Sequence, residues 1–189
     1  TAAISSAETS VGESWTVRVR ANDGYADSDY AEATAEIINT DPTIGGVSIS
    51  PATVYNDSVL SCSATASDPD ESLSIDYTWT VDTQQYTGAS LDLGTLSDPI
   101  MPTDTIACTA SVTDSSAVSV SDDATATVSN RDPVIASVQL QPNTGIVVDS
   151  TVECVAVATD PDGETPTITY AWSNGTVLGS SNPLTLDPS

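Results

Sequence analysis

Cys62–Trp79, CSATASDPDESLSIDYTW, is the stretch on which the fold turns. It begins with Cys62, Ala64 and Ala66 at alternate positions and ends with Ile75, Tyr77 and Trp79, again alternating. Apolar residues at every second position mark strands buried on one face, with Ser and Thr between them on the wet face. The intervening Asp68-Pro69-Asp70 is turn chemistry. The same phrase returns later in the chain. CVAVATDPD from Cys154 lies 92 residues on, and YAW from Tyr170 matches YTW from Tyr77 at an offset of 93.

The repetition extends outward on both sides. Ala33–Pro51, ATAEIINTDPTIGGVSISP, matches Ala124–Pro142, ATATVSNRDPVIASVQLQP, at an offset of 91. Ser14–Asp23, SWTVRVRAND, matches Thr105–Asp114, TIACTASVTD, at the same offset. Leu91 and Leu93 match Leu184 and Leu186. A period near 92 is too long for a solenoid repeat and suits tandem copies of a small β-domain. The register predicts three parts. Residues 1–39 are the back of one repeat, 40–131 a complete repeat, and 132–189 the front of a third. The 189 residues thus read as a slice of a longer chain.

Alternation continues through the complete repeat. Val47 and Ile49, Leu60 to Ala66, Leu91 and Leu93, Ile106 to Val112, and Ala124 to Val128 all fall on one parity within their runs. Asp41-Pro42, Asn56-Asp57 and Asp98-Pro99 punctuate them. Short strands of this kind, with no 3.6-residue period, predict an all-β fold of tandem immunoglobulin-like β-sandwiches. The order Cys62, Trp79, Cys108 adds specificity, because a Trp packed on an inter-sheet bridge is the immunoglobulin arrangement. Cys62–Cys108 is the expected disulfide, with two buried free thiols as the alternative. Cys154 then needs a partner elsewhere.

Composition excludes much of the chemistry. The chain has three Arg, no Lys, no His and 27 acidic residues, for a net charge of −24. Without His or Lys there is no Ser-His-Asp triad, Schiff-base lysine, P-loop lysine or His-ligated zinc. Nucleic acid and anionic membranes both require basic surface, so neither is an expected partner. Hydrophobic residues make up only 39%, but their ordered alternation argues against a disordered acidic chain. No apolar run approaches 18 residues, so no membrane insertion is expected. The first 20 residues show no signal-peptide pattern.

The combined pattern resembles the tandem Ig-like repeats of bacterial and archaeal surface proteins, relatives of the PKD and cadherin-like modules. The residues that carry the resemblance are C-x-A-x-A-x-D-P-D, Y-x-W, Asn22-Asp23-Gly24 closing a penultimate strand, and N-x-D-P at Asn39 and Asn130. It covers the whole chain and implies no activity. One departure is clear: Val17 stands where Cys108 stands, so the first part lacks the bridge.

In a sandwich of this order, the start of the first strand, the second-to-third loop and the penultimate-to-last loop share a pole. That places Asn39, Asp41, Asp68, Asp70 and Asp114 together, and likewise Asn130, Asp132, Asp160 and Asp162 with Glu164 nearby. Clustered carboxylates repel unless neutralised, and an oxygen-only set suits Ca²⁺. The resemblance points the same way, since cadherin-like arrays stiffen their junctions with calcium. The competing explanation is that Asp-Pro and Asp-Gly simply form turns. Asn56-Asp57-Ser58 and Asn174-Gly175-Thr176 fit the N-glycosylation acceptor, although such triplets arise by chance in this composition. Arg18 and Arg20 are expected in cross-strand ion pairs. Trp15, Trp79 and Trp172 alternate inward as core residues.

The expected function is non-enzymatic: a structural module of an extracellular filament, stalk or surface adhesin. Its partners would be adjacent repeats, copies of itself, surface glycans or other cells. The alternative is a polysaccharide-binding accessory module of a secreted hydrolase.

Overall fold

The computed structural model describes residues 4–5 and 8–186. Among them the protein is all-β, with several antiparallel sheets and no α-helix. Among the described residues, no helix is long and apolar enough to cross a membrane. The chain divides into two compact units. One comprises Thr1–Ala52, Leu60–Leu91 and Ile106–Ala126; the other comprises Thr53–Val59, Asp92–Thr105 and Thr127–Ser189.

In the first unit, β1 (Ser14–Val19) and β2 (Ala31–Glu36) form a two-stranded antiparallel sheet. The strands β3 (Thr43–Ser50), β4 (Val59–Ser67), β5 (Asp76–Val81), β6 (Gln84–Thr87), β7 (Ser90–Asp92), β8 (Thr105–Thr113) and β9 (Ser119–Thr127) follow. They build two sheets, ordered β3-β4-β7 and β6-β5-β8-β9. Burial follows the period-two pattern. Leu60 and Cys62 on β4, Trp79 and Val81 on β5, and Ile106, Cys108, Ala110 and Val112 on β8 are buried, and their Ser and Thr neighbours are more exposed. Each large apolar side chain enclosed this way stabilises the fold by about 1.5–3 kcal/mol. The β3–β4 register slips between Gly45 and Ser48, where Gly46 takes φ +67°, a conformation that costs glycine little.

The Cys62–Cys108 disulfide joins the two sheets, with Cα atoms 6.4 Å apart and a sequence separation of 46. Trp79 stands opposite Cys108 in the β5–β8 ladder and is wholly buried. Its Nε1–H donates to the Gly88 carbonyl at 2.9 Å, so the indole brings no unpaired donor into the core. The Ala64 N–H on β4 donates to the Tyr77 hydroxyl on β5 at 3.2 Å, a second tie between the sheets.

In the second unit, Val54, Leu93, Ile100 and Val128 are buried, and Val54 bridges Val128 in parallel. A 3₁₀ turn at Leu93–Thr95 is capped by Asp92, whose carboxylate accepts from the Gly94 N–H. Beyond it, β10 (Val134–Gln141), β11 (Thr151–Thr159) and β14 (Leu184–Thr185) form one sheet. The strands β12 (Trp172–Ser173) and β13 (Val177–Gly179) form another. Val152 is buried, but much of the apolar face of β10 is open, with Ile135, Val138 and Leu140 exposed. Trp15 on β1 is likewise more than a third exposed, and Trp172 is only half-buried, so the expectation that they are core residues like Trp79 does not hold here. All six residues of β1 are exposed, and Trp172 lines an open groove with Tyr170 and Cys154.

Local hydrogen bonding repeats with the sequence. The Gly12 N–H donates to Ile37 O at 2.8 Å, and Thr103 N–H to Val128 O at 2.9 Å. The Ile37 N–H donates to Glu13 O, and Val128 N–H to Asp104 O, both at 2.9 Å. The Tyr55 N–H donates to Ser58 Oγ and Val147 N–H to Ser150 Oγ, also at 2.9 Å. Trp172 Nε1–H donates to Ser181 O at 2.8 Å, as Trp79 does to Gly88 O. These pairs are 91 to 93 residues apart, the same offsets as in the sequence.

Candidate functional site

The candidate acidic residues of the first unit are held by separate hydrogen bonds, whereas in the second unit three carboxylates come close together. In the first unit, Asp114 follows β8 and is buried. Its Oδ2 accepts from Asn39 Nδ2 at 2.9 Å, and its Oδ1 from the Val118 N–H at 2.7 Å. Burial pushes the Asp114 carboxyl up. Hydrogen bonds from Asn39 and from the Val118 and Ser116 backbone outweigh it and hold the group below the usual carboxylate range. Ser116 Oγ–H donates to Asn39 Oδ1 at 3.0 Å, which fixes the amide's orientation. The Thr40 N–H donates to Asp70 Oδ2 at 2.6 Å, and the Asp70 N–H to Asp68 Oδ1 at 2.7 Å. Among the described residues, Asp68 Oδ2 is the buried side-chain oxygen left without a hydrogen-bond partner. Asp41 is exposed.

The second unit repeats the arrangement with a cation in it. The Arg131 N–H donates to Asp162 Oδ2, as Thr40 N–H does to Asp70, and the Asp162 N–H donates to Asp160 Oδ1 at 2.8 Å. Arg131 stands where Thr40 stands, and its side chain reaches the same carboxylate. Nε–H donates to Asp162 Oδ1 at 2.8 Å, Nη1–H to Asp57 Oδ2 at 3.0 Å, and Nη2–H to Asn56 Oδ1 at 2.7 Å and Pro161 O at 3.1 Å. The guanidinium also lies 4.9 Å from the Tyr55 ring centroid, within cation–π range. A planar fork of donors meets four acceptors and an aromatic face, a set that Lys cannot match. Burial pushes the Asp162 carboxyl up, but the Arg131 backbone, side chain and charge together bring it below its ordinary value.

Asp160, Asp162 and Glu164 can bring carboxylate oxygens within 4.8 Å of one another, close enough for the three to hold a metal ion. Burial and the charges of Asp160 and Asp162 push the Glu164 carboxyl up. Asn130 and Asp132 are exposed, and Asn130 Nδ2–H donates to the Arg131 carbonyl at 2.9 Å.

The two glycosylation candidates differ. Asn174 is exposed in the β12–β13 turn, where its Oδ1 accepts from Thr176. Asn56 is half-buried, and its Nδ2, the atom a glycan would be attached to, donates to the Asp162 carbonyl at 2.7 Å.

Arg18 pairs with its cross-strand neighbour Glu32 at 2.7 Å, and Arg20 with Asp27 at 2.7 Å. Both are exposed pairs that add little stability. The Arg131 network was not anticipated from sequence. Its one signal was scarcity: Arg131 is the only cation outside β1 and the residue following it, in a chain of net charge −24. No family model, curated protein or solved structure matches this chain.

Proposed function

We propose that this chain is part of a non-enzymatic, extracellular array of tandem Ig-like domains, with boundaries near residues 39 and 131, related to PKD and cadherin-like modules. The observation that carries this reading is the recurrence of the same hydrogen bonds at offsets of 91 to 93 residues. Strand orders β3-β4-β7 and β6-β5-β8-β9, joined by a bridge beside Trp79, support the immunoglobulin assignment. The disulfide supports an oxidising, extracellular setting. Trp79 is wholly buried, which takes it out of any sugar-stacking platform and weighs against the polysaccharide-binding alternative.

The arrangement stiffens its two boundaries differently. At residue 131 the guanidinium neutralises Asp162 and ties it to Asn56 and Asp57. At residue 40 no side chain of that kind is available, and the unpartnered Asp68 Oδ2 favours a cation there. Calcium suits oxygen ligands: Asp160, Asp162 and Glu164, whose carboxylate oxygens come within 4.8 Å of one another, are the candidates in the second unit, and Asp68 with its unpartnered Oδ2 is the candidate in the first. Extracellular modules bind calcium at about 10⁻⁴–10⁻³ M. The test is calorimetry and thermal melting of the 189-residue chain, with calcium at about 10 mM, well above that range, or with chelator. A rise in melting temperature is expected, reduced by Asp68→Asn or by Glu164→Gln. No heat and no shift would reduce both clusters to turn chemistry.

A further inference from the structure

Two triplets of the Asn-X-Ser/Thr type lie in the second unit, and the structure sets them in opposite surroundings. Asn174 opens the turn between β12 and β13. Asn174, Gly175 and Thr176 are all exposed. Asn174 Oδ1 accepts from the Thr176 N–H at 3.3 Å and from Thr176 Oγ1–H at 3.0 Å. The carbonyl end of the amide is thereby held in the turn, while Nδ2 makes no hydrogen bond among the described residues. Gly175 takes φ +106°, and a Cβ at that position would meet nothing within 4 Å. At Asn56 both ends of the amide are engaged. Nδ2 donates to the Asp162 carbonyl at 2.7 Å, and Oδ1 accepts from Arg131 Nη2–H at 2.7 Å. The hydroxyl oxygen of Ser58, the third residue of that triplet, accepts from the Tyr55 N–H at 2.9 Å.

The openness of the Asn174 turn is shared by its counterpart in residues 40–131. The β5–β6 hairpin lies 93 residues earlier, and there β5 is flanked by β8 as well as by β6. With those strands in place the tip residues Asp82 and Thr83 are still exposed. β8 pairs with β5 on the side away from β6, so a strand laid beside β12 in the same way leaves the tip free. Val81, the residue 93 positions before Asn174, is buried, but it belongs to the ladder and pairs with Gln84. The β12–β13 register shifts after Trp172, so that Ser173 pairs with Val177 and Asn174 falls in the turn.

We infer that Asn174 carries an N-linked glycan and that Asn56 does not. This rests on the extracellular reading above, because the acceptor triplet is modified on surface loops of secreted proteins. The co-substrate is a sugar delivered as a lipid-linked phosphate or diphosphate. Nδ2 forms a bond to the anomeric carbon, the bond from that carbon to the phosphate oxygen breaks, and the phosphate leaves with the electron pair. Nδ2 gives up one proton, and nothing is oxidised or reduced. At Asn56 the same step would require the amide to leave both Asp162 and Arg131 and to admit a bulky polar group into a half-buried network.

The test is mass spectrometry of digests of the chain taken from the cells that produce it. Intact glycopeptides are read, because Asn-Gly also deamidates and a deamidated peptide mimics a released glycan. Sugar on the Asn174 peptide and none on the Asn56 peptide is the expected result; a bare Asn174 overturns the proposal. The same digest separates the two readings. If Cys62–Cys108 is bonded while Asn174 is bare, the glycan is wrong and the extracellular reading stands. If both cysteines are thiols and Asn174 is bare, the extracellular reading fails with it. A second measurement supplies the full chain, made without sugars, with an oligosaccharyltransferase and a lipid-linked oligosaccharide. The folded chain should be modified at Asn174 alone, and both Asn174→Gln and Thr176→Val should abolish that transfer. The reduced, unfolded chain should be modified at Asn56 as well. Transfer to Asn56 of the folded chain as extensive as to Asn174 would overturn the selectivity argued from the hydrogen bonds.

Discussion

Replacing both Cys62 and Cys108 with Ala should remove the largest single constraint on the first unit. The bridge spans 46 residues and connects the β3-β4-β7 sheet to the β6-β5-β8-β9 sheet. By chain entropy, opening a loop of about that size relaxes the unfolded state by some 13 cal/mol/K, or about 4 kcal/mol at 25 °C. Small domains are stable by about 5–15 kcal/mol in total, so this is a large share. At roughly 4–8 °C per kcal/mol for a domain of this size, the melting transition should fall by about 15–30 °C. Urea unfolding of the full chain, followed by tryptophan fluorescence, measures it, because Trp79 sits against the bridge and reports its own surroundings. The Ser double variant should lose more than the Ala one. Both sites are buried, and an unpaired hydroxyl there costs a further ~1–3 kcal/mol each. A loss below about 1 kcal/mol for the Ala pair would refute the reasoning, since it would mean the two sheets hold their register without the tie.

Arg131→Ala should lower the melting temperature of the second unit by leaving Asp162 enclosed and uncompensated, and Arg131→Lys should recover only part of the loss, because an ammonium cannot serve Asp162, Asp57 and Asn56 at once; equal stability of all three chains in calorimetry would contradict the network. Acid should act through Asp114 and Asp162. Both folded-state carboxyls lie below their ordinary value, so the stability they contribute is complete above the unfolded value of about 3.9 and disappears as pH falls through the lower folded values. Melting temperatures measured from pH 7 down to pH 2 should drop mainly at the acid end, and the drop should be smaller in Asp162→Asn.

Much of this protein could be read from the one-dimensional pattern. Period-two runs such as Ile106–Val112 determine which side chains face inward, because a strand offers its residues only two sides. The Cys-Trp-Cys order and the offsets near 92 are equally local in origin. They are copied phrases, and the same phrase makes the same turn and the same short-range hydrogen bonds. The acidic candidates were legible as a set but not as individuals. Asp-Pro-Asp at residues 68 and 160 looks identical in sequence, yet one presents an unpartnered oxygen and the other is followed by Asp162 clasped by Arg131. That difference depends on Arg131 reaching Asn56 and Asp57, which lie 75 and 74 residues away along the chain. No periodicity encodes a contact of that range. The same limit applies to Trp15 and Trp79. Both sit on the inward parity of a strand, and local sequence decides that much. Whether an inward face is buried depends on what packs over it, and only the tertiary structure decides that: Trp79 is wholly buried, whereas Trp15 stays more than a third exposed.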